Sequence, residues 1–303
     1  MRPTPPVAAT APNPDPDFAG DLTLSAADEL PAARNAARLV ARHCGLEDAG
    51  LTINAACASS TLALALAAGR IATQRESCIL VWAAELLSEF VFAGFASLKA
   101  LTPDCCRPFD QARNGLILGE GAAALLLMNS SRARREGFRP LARIRGWGAA
   151  NDAVHLTAPA RDGRGLIKAC RRALRRAELD PEDLAAINAH GTGTIHNDDM
   201  ELHAFGEIFR RRRPCHSVKG ALGHTLGAAG ALETVIALDC LRHGLLPPTT
   251  GLEKCAPRAA VRLSSAPQEF SGPRLLLCNS GFGGVNAALI LEKVEERRWS
   301  CQP

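Results

Sequence analysis

The chain has 303 residues, of which 47% are apolar and 22% charged, an ordinary globular mix with length enough for one large domain or two smaller ones. That composition excludes a disordered polypeptide, a collagen-like fibre and a coiled coil. Lys plus Arg number 35 and Asp plus Glu 31, a net charge of +4, too small an excess to require nucleic acid. Tyr is absent and aromatics are only 4%, which also argues against a base-stacking platform.

Residues 1–30 read as a disordered leader. Pro recurs at 3, 5, 6, 12, 14 and 16 among Ala and Thr, and no apolar stretch follows Arg2 to make a secretory signal. Order is expected from about residue 31. Ala32–Cys44 reads as a helix with Arg34, Arg38 and Arg42 on one side and Gly45 as its stop. Residues 49–69 carry no charge, yet Gly50, Asn54, Ser59, Ser60 and many Ala predict a buried strand, Leu51–Asn54, and then a small-residue helix. No membrane span is expected.

Ile79–Ala84 and Gly121–Met128 are apolar runs of buried-strand type. Leu166–Ala177 is a helix with a basic outer face, Leu184–Asn188 a short strand, and Ala221–Leu241 a Gly/Ala-rich entry to a helix. Leu275–Asn279 is a strand, Gly281–Gly284 a loop and Val285–Glu292 a closing strand. Strands alternating with helices predict an α/β protein with a largely parallel sheet. The 11 cysteines include no Cys-x-x-Cys pair, so they read as reduced thiols of a cytoplasmic protein, most of them small core residues.

Chemistry in such folds gathers at strand ends. Cys57, in Asn54-Ala55-Ala56-Cys57-Ala58-Ser59-Ser60, follows a strand and opens a helix, whose positive end would favour a thiolate; a lone Cys there is otherwise structural. His190-Gly191-Thr192-Gly193-Thr194 hangs off the strand ending at Ala189. Lys219-Gly220-Ala221-Leu222-Gly223-His224 leads into Gly227-Ala228-Ala229-Gly230, and so many glycines at a helix start predict close packing there. A phosphate cradle is the rival reading, although the Gly-Lys-Ser/Thr ending of a Walker loop is missing. Asn279-Ser280-Gly281-Phe282-Gly283-Gly284 is a fourth candidate, a mobile or positive-φ loop. His190, His196, His203 and His224 include no zincin-type i, i+4 pair and no supporting Cys pair, so no metal is expected.

With Cys57, His190 and His224 in that order, the sequence resembles the β-ketoacyl-acyl-carrier-protein synthases, the elongating Cys-His-His condensing enzymes of the thiolase superfamily. Arg107-Pro108-Phe109-Asp110, Arg113-Asn114-Gly115, Gly119-Glu120-Gly121, Asn188-Ala189-His190-Gly191-Thr192 and Gly227-Ala228-Ala229-Gly230 match that family's phrases, over roughly Pro31 to Val294. The resemblance implies a thiolase-like layered α/β fold (α/β/α/β/α) of two related βαβ-type halves. Residues 31–136 would be a first half, incomplete and carrying the nucleophile. Residues 137–294 would be the second half with both histidines, and 295–303 a tail.

It further implies decarboxylative condensation in fatty-acid or polyketide biosynthesis, with no cofactor. Cys57 would carry the acyl group and His190 and His224 would stabilise the enolate. Lys219 would hold the charge around them. Phe282, Gly283 and Gly284 would form the oxyanion and gating loop. Thr192, Thr194, Asp198, Glu201 and Glu233 would support the histidines from behind. The implied partners are acyl carrier protein, in acyl and malonyl forms, and a second synthase chain, identical or related. A non-catalytic partner subunit and an inactive truncated remnant are the alternatives.

Three features depart from the family pattern. Ile195 stands where Pro is usual, the Phe282 loop is one residue short, and only 56 residues precede Cys57. A truncated front predicts exposed apolar surface near Leu51–Leu66 and Ile79–Ala84. The basic runs Arg132–Arg135, Arg171–Arg176 and Arg210–Arg213 read either as carrier-protein contacts or as solvated surfaces.

Overall fold

The computed structural model describes residues 4–9, 29–46, 48, 50–256 and 260–294. The first half runs β1 (Thr4–Ala9), α1 (Glu29–His43), β2 (Leu51–Ile53), α2 (Ser59–Ala72), β3 (Cys78–Glu85), α3 (Glu89–Ser97), β4 (Gly121–Met128) and α4 (Ser130–Arg135). The second half opens with β5 (Ala142–Asn151), α5 (Arg164–Ala177), β6 (Ala186–Asn188), α6 (Ile195–Ile208), β7 (Cys215–His216) and α7 (Lys219–Leu222). It continues through α8 (Ala229–His243), the small pair β8 (Leu245–Leu246) and β9 (Gln268–Glu269), β10 (Arg274–Gly281) and β11 (Val285–Lys293).

The sheet orders are β2-β1-β3-β4 and β5-β11-β10-β6-β7. In the first, β2, β1 and β3 are parallel and β4 is antiparallel. In the second, β7, β6 and β10 are parallel and β11 is antiparallel to β10. The halves therefore repeat one pattern, and β5 is the strand without a counterpart among the described residues of the first half.

Burial on both faces explains the continuous apolar runs that mark these strands. Leu275 and Leu277 of β10, Leu289 and Leu291 of β11 and Ile79, Val81 and Ala83 of β3 all point into one middle layer, filled by the small faces of α2 and α8. Leu276, Cys278, Ala288 and Ile290 point the other way, onto α5 and α6. On the far side of the first sheet, Ala37 of α1 packs against Trp82. The layers are thus α1, sheet, α2 with α8, sheet, α5 with α6. Small residues let α2 and α8 share the middle: a Cβ at Gly230 would overlap the Thr61 hydroxyl and approach the Thr61 backbone nitrogen to 2.7 Å.

Several expectations need correction. Thr4–Ala9 is a strand between β2 and β3, not leader, and its ladder slips between Thr4 and Val7, where Pro5 and Pro6 have no N–H to donate. α1 begins at Glu29; residues 10–28 of the expected leader and the 295–303 tail lie outside the described residues. Ile79, Val81 and Ala83 are buried, not exposed, because their face of β3 packs on α2 and α8. Leu51 and Leu66 are exposed, as expected for that stretch, and further apolar surface lies on α3, none of whose residues is buried, with Phe90 70% and Phe92 57% exposed.

β5 and α6 escaped the sequence reading. β5 mixes Arg143, Arg145, Gly146, Trp147 and Gly148, with no apolar period. Its glycines serve packing: a Cβ at Gly148 would overlap the Ala169 carbonyl of α5. The same helix covers the outer edge of β5, where Arg172 donates to the Ala149 carbonyl and Arg176 to that of Trp147. Charged side chains over an edge strand block pairing with other chains. Arg132 pairs with Glu136 and Arg213 with Glu182, so each basic run has members committed within the fold. Among the described residues no helix is long and apolar enough to cross a membrane.

Candidate active site

Cys57 sits at the turn from β2 into α2 and is 6% exposed. The turn is tight, with Ala56 at φ +49°, a backbone region that non-glycine residues rarely occupy. Ser59 holds it closed: its hydroxyl accepts from the Ala55 N–H at 2.8 Å and donates to the Ala56 carbonyl at 2.6 Å. Burial pushes the Cys57 thiol up to about 12, and Glu85 acts in the same direction. Lys219 and the N–H groups of Cys57 and Phe282 act against that. The helix-end reading predicted a thiolate, but loss of solvation is the larger effect, so the resting group is a thiol.

His190 follows β6 and His224 follows α7, and both are buried. Their rings meet edge-on with centroids 5.1 Å apart. The Cys57 sulfur and one nitrogen of each ring all lie within 4.8 Å of one another. That is close enough for one soft cation, but the Lys219 charge works against one. Burial first, then Lys219, holds both imidazoles well below their ordinary range, so both are neutral at pH 7. Asn279 donates through Nδ2 to His190 Nδ1 at 3.2 Å and to Glu233 Oε2 at 2.8 Å, and its Oδ1 accepts from the Thr61 hydroxyl. With Nδ1 accepting, the single imidazole proton of His190 is on Nε2.

Lys219 is 2% exposed. Its ammonium is paired with Glu233 Oε1 and donates to the His190 carbonyl. Glu233 also accepts from Asn188, so this buried charge pair is well furnished with hydrogen bonds, as such pairs must be. Asp198 and Glu201 project from α6 onto the loop after β6. Glu201 accepts from the His190 N–H at 2.7 Å and the Gly191 N–H at 2.6 Å. Asp198 accepts from Thr192 at 3.1 Å and from Phe109 at 2.7 Å. The Thr192 and Thr194 hydroxyls bond each other at 2.8 Å. Burial raises Asp198 to about 6 and Glu201 to about 8. Both acids touch backbone rather than the imidazole.

Phe282 stacks on Phe95 of α3, with centroids 5.7 Å apart. Gly283 donates to the Leu156 carbonyl at 2.6 Å, and its own carbonyl accepts from Asn151. Gly283 and Gly284 have φ +82° and +76°, as the sequence reading of a positive-φ loop anticipated. A cavity of about 350 Å³ runs from Cys57, His190 and His224 past Phe95, Leu98 and Phe282. The residues implied by the family resemblance converge on this cavity or on the loops and helices behind it, whereas His203 is exposed on α6.

The family model for Beta-ketoacyl synthase, N-terminal domain, matches residues 23–133, and that for Beta-ketoacyl synthase, C-terminal domain, matches residues 141–253. The chain belongs to the β-ketoacyl synthase family. It is 33% identical to the Tetracenomycin polyketide synthase ketoacyl synthase alpha subunit of Streptomyces glaucescens, covering 86% of this chain and 64% of that one. It is 37% identical to 3-oxoacyl-[acyl-carrier-protein] synthase 2 of Rhizobium meliloti, covering 66% and 50%. Among solved structures, the ishigamide ketosynthase/chain length factor superposes with a TM-score of 0.81 at 33% identity, covering 85% and 64%. A beta-ketoacyl synthase from Burkholderia phymatum gives 0.80 at 33%, covering 86% and 66%. The chain thus spans half to about two thirds of the length of these relatives.

Against that family background, the sequence reading missed Thr61, Ser59 and Glu85. Asn279 was legible there only as the end of a strand and the start of a loop. Thr61 and Asn279 are 218 positions apart, so neither carries a local signal of the other. Ser59 was legible in principle, since a Ser two residues after a nucleophile at a helix start can bond back into the turn.

Proposed function

We propose that the chain performs the decarboxylative condensation of a β-ketoacyl-acyl-carrier-protein synthase in fatty-acid or polyketide biosynthesis. The observation that carries this reading is the thiol and two neutral imidazoles within 4.8 Å of one another at the buried end of a cavity. Loading exchanges one thioester for another: the Cys57 sulfur takes the acyl group, and its proton leaves with the carrier-protein thiol. The N–H groups of Cys57 and Phe282 supply the oxyanion donors for that step.

Malonyl-carrier protein then occupies the cavity. Its carboxylate leaves as carbon dioxide, and the electron pair forms an enolate. The His190 Nε2–H, set by Asn279, and His224 stabilise the enolate oxygen as donors. The enolate carbon attacks the acyl-Cys57 carbonyl, the carbon–sulfur bond breaks, and the released sulfur takes a proton from solvent. Lys219 steadies this charge through Glu233 and the His190 carbonyl. Asp198 and Glu201 hold the His190–Thr192 backbone. No step requires a cofactor.

Acyl carrier protein, in acyl and malonyl forms, is the proposed partner in a cytoplasmic setting, with a second synthase chain beside it. The outward Phe90 and Phe92 of α3, whose Phe95 touches the Phe282 loop, support an apolar interface near the cavity mouth.

Incubation with acyl-carrier protein should add one acyl mass, absent from Cys57→Ala, which should still decarboxylate malonyl-carrier protein. Acylation of another cysteine would defeat the assignment. No adduct at all would favour the alternatives, a non-catalytic partner subunit or an inactive remnant.

A further inference from the structure

Glu85 closes β3 and is 1% exposed. The condensation chemistry gives it no part. One of its carboxyl oxygens accepts from the Gly227 N–H at 3.1 Å, a bond between residues 142 positions apart. Gly227 lies in the 3-10 turn Leu226–Ala228, which connects His224 to α8. That turn is held in an unfavourable shape. Leu226 has φ +40°, a region that L side chains rarely adopt, and its side chain is buried against Cys57, Leu116 and Leu118. Such a conformation persists only where the surroundings over-determine it. Here a buried carboxyl grips one side of the turn and the apolar cluster around Cys57 grips the other.

The titratable groups facing Cys57 come from four places: Lys219 on α7, His190 after β6, His224 before the turn and Glu85 on β3. Lys219 is the cation among them, and the histidines are neutral. We propose that Glu85 is a positioning residue of the site: its carboxyl anchors the turn that delivers His224, and any negative charge on it opposes a thiolate at Cys57. Glu85 thus works for His224 and adds to the larger effect of burial against the thiolate.

Two substitutions separate these effects. Glu85→Gln keeps an oxygen to accept from Gly227 and removes the charge, whereas Glu85→Ala removes both. On the full chain, the pH profile of Cys57 alkylation by iodoacetamide, with the site identified by mass, reads the charge. Decarboxylation of malonyl-carrier protein reads the placement of His224. Glu85→Gln should move the alkylation profile about one unit towards lower pH, about tenfold faster on its rising limb. Glu85→Ala should lose decarboxylation about tenfold or more, and Gln should restore most of that loss.

An unmoved profile in Glu85→Gln, or parental decarboxylation in Glu85→Ala, would overturn the proposal. If Glu85→Ala does not fold, the Gln profile still decides. The decarboxylation arm rests on the condensation reading above, but alkylation does not: a parent that neither loads nor decarboxylates would refute that reading and leave the test of the Glu85 charge intact.

Discussion

Replacing Asn279 by Asp should reverse the proton on His190. In the native site the Asn279 amide donates to His190 Nδ1 and to Glu233 Oε2. An Asp there has no N–H to donate. Two carboxyl oxygens 2.8 Å apart in place of that bond would share a proton, which keeps the added charge from being buried bare. The oxygen then accepts from His190, whose proton moves to Nδ1, and Nε2 presents a lone pair to the cavity. One donor to the enolate oxygen is lost. Loss of a donor of this type costs about 3 kcal/mol, or about a hundredfold in rate. Loading is expected to stay within a few-fold, because its proposed oxyanion donors are the backbone N–H groups of Cys57 and Phe282. The assay is carbon dioxide release from malonyl-carrier protein alongside mass measurement of acyl-Cys57. Decarboxylation near the parental rate, with the fold intact by thermal unfolding, would refute the tautomer argument. Equal loss of both activities would refute the division of roles.

His224→Ala should lower decarboxylation about a hundredfold and acyl loading much less; the reverse pattern would exchange the roles of thiol and imidazole. His216 is fully buried with neither ring nitrogen hydrogen-bonded among the described residues, and burial followed by Lys219 pushes it down to about 3. The folded chain therefore binds fewer protons than the unfolded one below about pH 6.5, and the stability held above that pH is lost as the pH falls towards 3. His216→Leu removes this effect, so its stabilisation should be about 2 kcal/mol larger at pH 5 than at pH 8. Equal gains by urea unfolding at both pH values would show that the ring is hydrated and able to charge.

The sequence by itself carried the alternation of strands and helices, because strands buried on both faces must be continuous apolar runs, as in Ile79–Ala84 and Leu275–Asn279. It also marked Cys57, His190 and the Lys219–His224 stretch as candidates, because each stands in its own short motif at a strand or helix end. The Gly-rich stretch before α8 correctly announced close packing, though not that Thr61 lay opposite. β5 left no such trace: its apolar burial comes from α5 lying across glycines, and its edge is closed by Arg172 and Arg176, which read in sequence as surface charge. The leader strand was hidden because prolines that cannot donate look like disorder until a register slip accommodates them. Tertiary structure alone decided the state of the chemistry. Cys57 rests as a thiol because desolvation outweighs the helix end, His190 keeps its proton on Nε2 because Asn279 donates to the other nitrogen, and Glu85 meets the His224 turn across 142 residues. Each of these depends on which groups share a volume from which water is excluded, and in one dimension a chain does not say which of its distant parts will share it.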